Sequence, residues 1–452
     1  MAEKHAAVTA PLAEWVAASS FEALPAAVRR DGARALVNWV GCAAGGAHEP
    51  VVVQALDFLA EFNGAHDATL VARAEKLDAL NAAYVNTLAS TVLMFNDTHA
   101  ATVAHPTGPV AAALLSLAGR QPLAGREFLH ALILGIEIQC RVGNMLCVPP
   151  AECAVGLSMG GLVGGIGAAA AAAKALRLDA RGIATAIGLA ANHAAGLRQA
   201  HASTANSLTP AHAARCGLMS ALMAARGVTC AGDMLEGSKG FAASFGRQPN
   251  FAAALDGLGS RFEIATLSYK PYPSGFVSHP VIDACLEIVQ QAGFDAARVE
   301  RVALTVNPLA GQLMDRPRPA TLAEAVMSLQ HWVAVTLACG AAGIAQTTAE
   351  VAQRPLVQVL RDRVTLAFDP AVGSDAARVV AVLAGGAEHA AAVQHCRGSA
   401  ARPMSDDDLT AKSRDQLLTA FDAAATDGIL AASWRMEQSE DAATWGRLLG
   451  KS

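Results

Sequence analysis

The sequence predicts a mainly α-helical protein in which a large all-helical domain is joined to a smaller α+β domain. Three observations predict it. From the start to about residue 255, apolar positions recur at spacings of three and four, and Ala and Leu dominate. After about residue 260, β-branched residues alternate or cluster in short runs between turn signals. From Ser405 the helical pattern returns. The boundaries that follow are 1–267 and 405–452 for the helical domain and 268–404 for the α+β domain. A chain of 452 residues exceeds one ordinary hydrophobic core, which agrees with two domains.

Along the first part, Pro11, Pro25 and Pro50 open amphipathic stretches, where proline in the first helical turn costs nothing, and Gly45, Gly46 and Gly64 close them. Further helices are predicted over 76–95, 109–117, 126–142, 165–176, 180–196 and 210–226. Strands are predicted over 299–306, 363–368 and 378–383, interleaved with helices over 280–291 and 323–340, giving a small antiparallel sheet. A last helix is predicted over 405–425, with Ser405 and Asp408 as an acidic variant of the capping box.

Composition narrows the function. Charged residues make up 16% and apolar residues 53% of the chain, which predicts extensive buried surface and a homo-oligomer, a homodimer in the simplest case. The net charge of -5 comes with no basic or acidic block, so nucleic acid and anionic membrane surfaces are not expected partners. The nine cysteines form no CxxC pair and no zinc spacing, and are read as reduced core residues. The N-terminal stretch lacks the apolar run and cleavage site of a leader, and the alanine-rich run 160–173 is read as a packed helix, so a soluble cytoplasmic protein is expected.

Two clusters carry chemistry. Phe95-Asn96-Asp97-Thr98-His99 is followed by His105-Pro106-Thr107-Gly108-Pro109. A carboxylate, a hydroxyl and two imidazoles thus stand between two helices, and imidazole is suited to proton transfer near neutral pH. The same pattern is equally that of a helix N-cap group with outward-facing histidines. The second cluster is Tyr269-Lys270-Pro271-Tyr272-Pro273-Ser274, then Ser278-His279-Pro280. There Lys270 sits among aromatics and prolines at the domain junction, a rigid way to aim a cation at a carboxylate. Its bland alternative is a proline-rich linker.

Taken in order, these clusters, the glycine-rich turn into 167–176, Leu235-Glu236-Gly237 with Lys239-Gly240-Phe241, Arg316-Pro317 with Glu324 and Ser328, and Pro403 with Lys412 resemble the MmgE/PrpD family. That family includes 2-methylcitrate dehydratase, cis-aconitate decarboxylase and iminodisuccinate epimerase. The resemblance implies a helical domain carrying an α+β lid, a site between them, no metal or other cofactor, and a homodimer. It also implies a lyase or isomerase that moves a proton at a carbon next to a carboxylate of a small acid. Position by position, His105, Asp97, Thr98 and Lys270 match the family's catalytic residues. His99, Tyr272 and His279 match common positions around the substrate.

The departures are specific. Met94 stands where decarboxylase-like members carry aspartate, Ser158 where a histidine is expected, Asn206 for a lysine, Gly275 for a histidine and Leu313 for an aromatic hydroxyl. The lost lysine and up to two lost histidines are each worth about 1.5–3 kcal/mol toward a carboxylate. The expected substrate is therefore less charged than a tricarboxylate. The alternative is that Ser158, Asn206, Arg198 and Lys239 supply equivalent donors from shifted positions. A non-catalytic small-acid-binding or scaffold member is the competing functional class. Other signals point elsewhere: Gly160-Gly161 and Gly164-Gly165 read as close helix packing instead of a dinucleotide loop, and His193, His201 and His212 lack metal-ligand spacing. Cys153 lacks the flanking base of a nucleophile.

Overall fold

The computed structural model describes residues 7–62, 64–154 and 156–451, so the first six residues of the N-terminal stretch discussed above lie outside the described residues. The chain is mainly α-helical with small sheets and divides into two compact units. One comprises 1–201, 205–267 and 406–452; the other comprises Ala202–Thr204 and Ser268–Ser405.

The first unit is built on the helices Gly125–Cys147, Met159–Ala175 and Leu208–Ala224, the middle one packed against both others. Every residue from Gly161 to Ala173 is buried. Small residues are needed there because the backbones touch: a Cβ on Gly161 would lie 2.0 Å from the Ala195 carbonyl oxygen. The helix therefore starts at Met159, earlier than the 165 predicted, because packing overrides the low helix propensity of its early glycines. Conversely, Ala79–Val92 starts later than the predicted 76, because Lys76–Leu77 pairs antiparallel with Ala68–Thr69 and Asp78 caps the helix through the Leu80 and Asn81 N–H groups.

The predicted 405–425 helix is two helices, Asp406–Leu417 and Ala423–Trp434; Asp422 accepts from the Ala425 N–H and begins the second. From the first of these, the buried Lys412 donates to Asn38 Oδ1 and to the Phe95 carbonyl, both at 2.6 Å. Its ammonium also lies 4.3 Å from the centroid of the Phe95 ring. A second buried charge, Arg141, pairs with Glu137 at 3.2 Å and donates to the carbonyls of Ala254, Asp256, Gly257 and Arg261. It thereby ties the chain ahead of Glu263 to the Gly125–Cys147 helix.

In the second unit the strands Val299–Val306, Val364–Phe368, Ala377–Leu383 and Glu388–Val393 form one four-stranded sheet, with Val299–Val306 flanked by the second and third. The sheet is mixed, not antiparallel as predicted: Val299–Val306 runs parallel to Val364–Phe368. The chain between those strands is long and helical, which is the crossover that parallel pairing requires. Helix His279–Val289 covers the face of the sheet and packs on Leu329–Cys339. The predicted 323–340 helix is broken in two at Ser328, whose hydroxyl donates to the Arg316 carbonyl at 2.6 Å and caps the second piece through the His331 N–H at 3.1 Å. No described helix is long and apolar enough to cross a membrane. The cysteines are all free.

Candidate active site

The chain leaves helix Ala79–Val92 through Met94, whose φ is 52°, runs extended over Asp97–His99, turns at Val103 with φ 55°, and enters helix Thr107–Ala118 behind Pro106. A hydrogen bond from the His99 N–H to the Ala104 carbonyl, 2.9 Å, closes the loop. Inside it, His105 Nδ1 lies 2.6 Å from the Asp97 carbonyl oxygen and 3.2 Å from Thr98 Oγ1. A carbonyl oxygen only accepts, so Nδ1 carries the proton, and in the neutral ring Nε2 is the basic nitrogen. The Asp97 carboxylate faces elsewhere: its Oδ2 accepts from Thr107 N at 3.2 Å and from Thr107 Oγ1 at 2.7 Å, at the positive end of the helix. Asp97 thus holds His105 through its main chain.

His99 differs. It is 1% exposed, with Nδ1 against Thr102 Oγ1 at 2.8 Å and Nε2 against Glu263 Oε2 at 3.1 Å. Burial pushes the Glu263 carboxyl up, but the His99 hydrogen bond and the Arg261 guanidinium, 2.6 Å from Oε1, outweigh it and bring its pKa to about 2.

His105 lines a cavity of about 70 Å³ together with Thr91, Met94, Val103, Ser158, Met159, Gly160, Arg198, His201, Asn206 and Pro210. Among the described residues, the lining holds hydroxyl, amide, imidazole and guanidinium donors beside thioether and alkyl groups, and no carboxylate. Ser158 and Arg198 are held side by side by a short antiparallel bridge between Leu157 and Leu197, with the Ser158 N–H on the Gly196 carbonyl at 3.2 Å and the Arg198 N–H on the Gly156 carbonyl at 3.0 Å. The bridge depends on Gly196, whose φ of 138° and whose crowding by Thr209 Cγ2, 2.4 Å from a Cβ placed there, exclude a side chain. Neither the Ser158 hydroxyl nor the Asn206 amide caps a helix or enters a side-chain hydrogen bond among the described residues. Close by, a hydrogen bond from Cys147 lowers the Cys153 thiol to about 7 against the opposing effect of burial, with help from the Arg198 charge.

The remaining sequence-predicted residues are described within the elements that carry them. Lys239 is exposed on the loop that follows Leu235 and Glu236. Lys270, Tyr272 and His279 belong to the second unit and are buried there. The Tyr272 hydroxyl donates to Asp283 Oδ1 at 2.5 Å, and burial together with the Asp283 charge pushes it well above the usual tyrosine range. Its ring meets the His279 ring edge to face, centroids 5.5 Å apart. The backbone next to Lys270 is tightly packed, since a Cβ on Gly398 would lie 2.1 Å from the Tyr269 carbonyl oxygen. Sequence reasoning held Arg198 only as an alternative donor and gave His201, Thr91, Val103, Met159 and Pro210 no place in a site. Among the described residues, no three His, Cys, Asp or Glu side chains form a metal-binding group.

Two family models match the chain, the MmgE/PrpD N-terminal domain over residues 10–254 and the MmgE/PrpD C-terminal domain over 272–436. Among individual proteins, it is 27% identical to cis-aconitate decarboxylase of Mus musculus over 300 residues, which are 64% of this chain and 60% of that protein. The human protein of the same name is also 27% identical over 300 residues, covering 64% and 61%. A cis-aconitate decarboxylase-like protein of Aspergillus oryzae is 26% identical over 387 residues, 82% of this chain and 77% of the other. The match thus spans about three fifths of the mammalian proteins.

Proposed function

This chain belongs to the MmgE/PrpD family, and from that premise we propose that it is a lyase or isomerase acting on a small carboxylic acid by proton transfer at the carbon next to a carboxylate. The observation that carries the reading is His105. A buried main-chain carbonyl fixes its Nδ1 proton, which makes Nε2 the basic nitrogen, in a cavity whose described lining residues supply hydrogen-bond donors and no carboxylate. Abstraction of the carbon-bound proton makes Nε2 an imidazolium and puts enolate-like charge on the substrate, which the donors of Ser158, Asn206 and Arg198 stabilise. Returning the proton to the other face inverts the centre. Losing hydroxide from the neighbouring carbon completes dehydration. Decarboxylation uses His105 in its protonated form: carbon dioxide leaves, its bonding electron pair stays on the substrate, and the imidazolium protonates that carbon. The family pattern assigns this chemistry no metal or cofactor and gives Lys270 the role of a carboxylate-holding cation.

The substrate is less charged than a tricarboxylate, because Asn206 and Ser158 replace a lysine and a histidine of the family pattern and both line the cavity. The reading is tested by incubating small acids with the enzyme in deuterium oxide and following loss of the carbon-bound proton by NMR. Exchange in a mono- or dicarboxylate, abolished by His105→Ala, is expected. Rapid turnover of citrate, 2-methylcitrate or cis-aconitate overturns the reduced-charge part. Binding of acids with no exchange and no product in any of them makes the protein a non-catalytic acid binder.

A further inference from the structure

Resting on that reading, we infer that Arg198 is the specificity-determining residue of the cavity. Its guanidinium clamps a single substrate carboxylate, and a small apolar substituent of the same acid lies against Met94, Val103 and Met159. Arg198 is the permanently charged group among the lining residues. Its Nε is spent on the Leu157 carbonyl at 3.4 Å, and no carboxylate among the described residues pairs with the rest of the guanidinium. A planar guanidinium anchored through Nε presents its two Nη groups as a fork, the geometry that matches both oxygens of one carboxylate.

The fork is placed by the main chain. The Leu157–Leu197 bridge and the Arg198 N–H bond to Gly156 fix the segment that carries it, and Gly196 lets that segment lie against the start of helix Met159–Ala175. Such pre-ordering lowers the entropic cost of binding. The charge supply then sets the substrate. Arg198 neutralises one carboxylate, and the Ser158 hydroxyl and Asn206 amide offer neutral donors to a carbonyl or hydroxyl. A second carboxylate would be forced onto the methyl and thioether groups of Met94, Val103 and Met159, where it loses its water and gains no partner. The class is a short acid with one clamped carboxylate, a hydrogen on the adjacent carbon and a methyl-sized branch.

The test measures affinity for isobutyrate, its neutral twin isobutyramide, and tricarballylate by calorimetry and thermal shift, on the wild type, Arg198→Gln and Arg198→Lys. The wild type is expected to bind isobutyrate at least tenfold more tightly than either other probe. Arg198→Gln should lose about 10- to 100-fold for isobutyrate, the size of one charge-assisted pair, and nothing for the amide. Arg198→Lys, which keeps the charge but not the fork, should fall between. His105→Ala should keep isobutyrate affinity within a fewfold, separating binding from proton transfer. Equal isobutyrate affinity in wild type and Arg198→Gln overturns the inference and leaves the proton-transfer reading standing. Preference for tricarballylate overturns the single-carboxylate part. A wild type that binds no carboxylic acid overturns the inference together with the reading beneath it.

Discussion

His99 and His105 stand in one short loop, yet the loop treats them oppositely. His99 is enclosed, with both nitrogens satisfied by Thr102 and Glu263. His105 is tied through Nδ1 and lines a cavity. An imidazole whose two nitrogens meet buried partners suits a structural bolt, whereas one held at Nδ1 and lining a cavity suits the proton transfer proposed for it. The comparison breaks most directly at His105. Replacing it with Ala should lower solvent-proton exchange and turnover by about 10²- to 10⁴-fold while the melting temperature stays close to the wild type. A variant that keeps its turnover removes His105 from the mechanism.

The complementary substitution, His99→Ala, should act on stability. It leaves the Glu263 carboxylate buried with only Arg261 beside it, at a cost of about 3 kcal/mol by chemical denaturation. Full loss of turnover at unchanged stability would reverse the roles assigned to the two rings. The pH dependence follows with a definite sign. The folded Glu263 pKa of about 2 lies below its ordinary 4.5, so its contribution is complete above about pH 4.5 and is lost as the pH falls toward 2. On the order of 3 kcal/mol of acid-sensitive stability should therefore be present in the wild type and reduced in His99→Ala.

The sequence made the fold class legible because helical spacing and β-branched runs report burial directly: strand Val299–Val306 and the starts of helices Ala180–Asn192 and Gly125–Cys147 were read within a residue. It misled where tertiary contacts overrule local signals. The close packing expected of Gly160-Gly161 and Gly164-Gly165 is present, but the helix predicted from 165 already begins at Met159. The sheet read as antiparallel because strand composition carries no direction. Within the loop, the cluster of Asp97, Thr98 and His105 was visible, but not which atom of Asp97 holds the imidazole, since a main-chain carbonyl leaves no compositional trace. Arg198 was the least legible. Its place depends on the Leu157–Leu197 bridge, a pairing between segments far apart in sequence.

The loop's anchorage offers a finer probe. Lys412 holds the Phe95 carbonyl at the loop's entrance, and burial lowers its pKa from 10.5 to about 8 in spite of the neighbouring Cys42 and Asp97. The penalty on its charge is therefore complete below about pH 8 and relieved as the pH rises toward 10.5, because the unfolded chain then binds more protons than the folded one. Wild type should gain about 2 kcal/mol relative to Lys412→Met between pH 7.5 and 9.5. A flat difference across that range would mean that Lys412 keeps an ordinary pKa and that the loop's entrance is not held by a strained charge.

The smallest expected effect tests whether the cavity side of the loop is held under strain. Val103 is β-branched, 43% exposed and left-handed at φ 55°, a conformation that costs such a residue about 1–3 kcal/mol. Val103→Gly removes that cost and adds back roughly 1 kcal/mol of chain entropy, so a net gain of about 0–2 kcal/mol is expected. Turnover should fall a fewfold at the same time, because the turn that delivers His105 becomes freer and the wall of the cavity loses its isopropyl group. Stability and activity moving in opposite directions would mark the turn as strained for function. Movement of both downward would show that Val103 packs favourably where it stands, and the strain account of the cavity-facing side would fail, while the assignment of His105 would not.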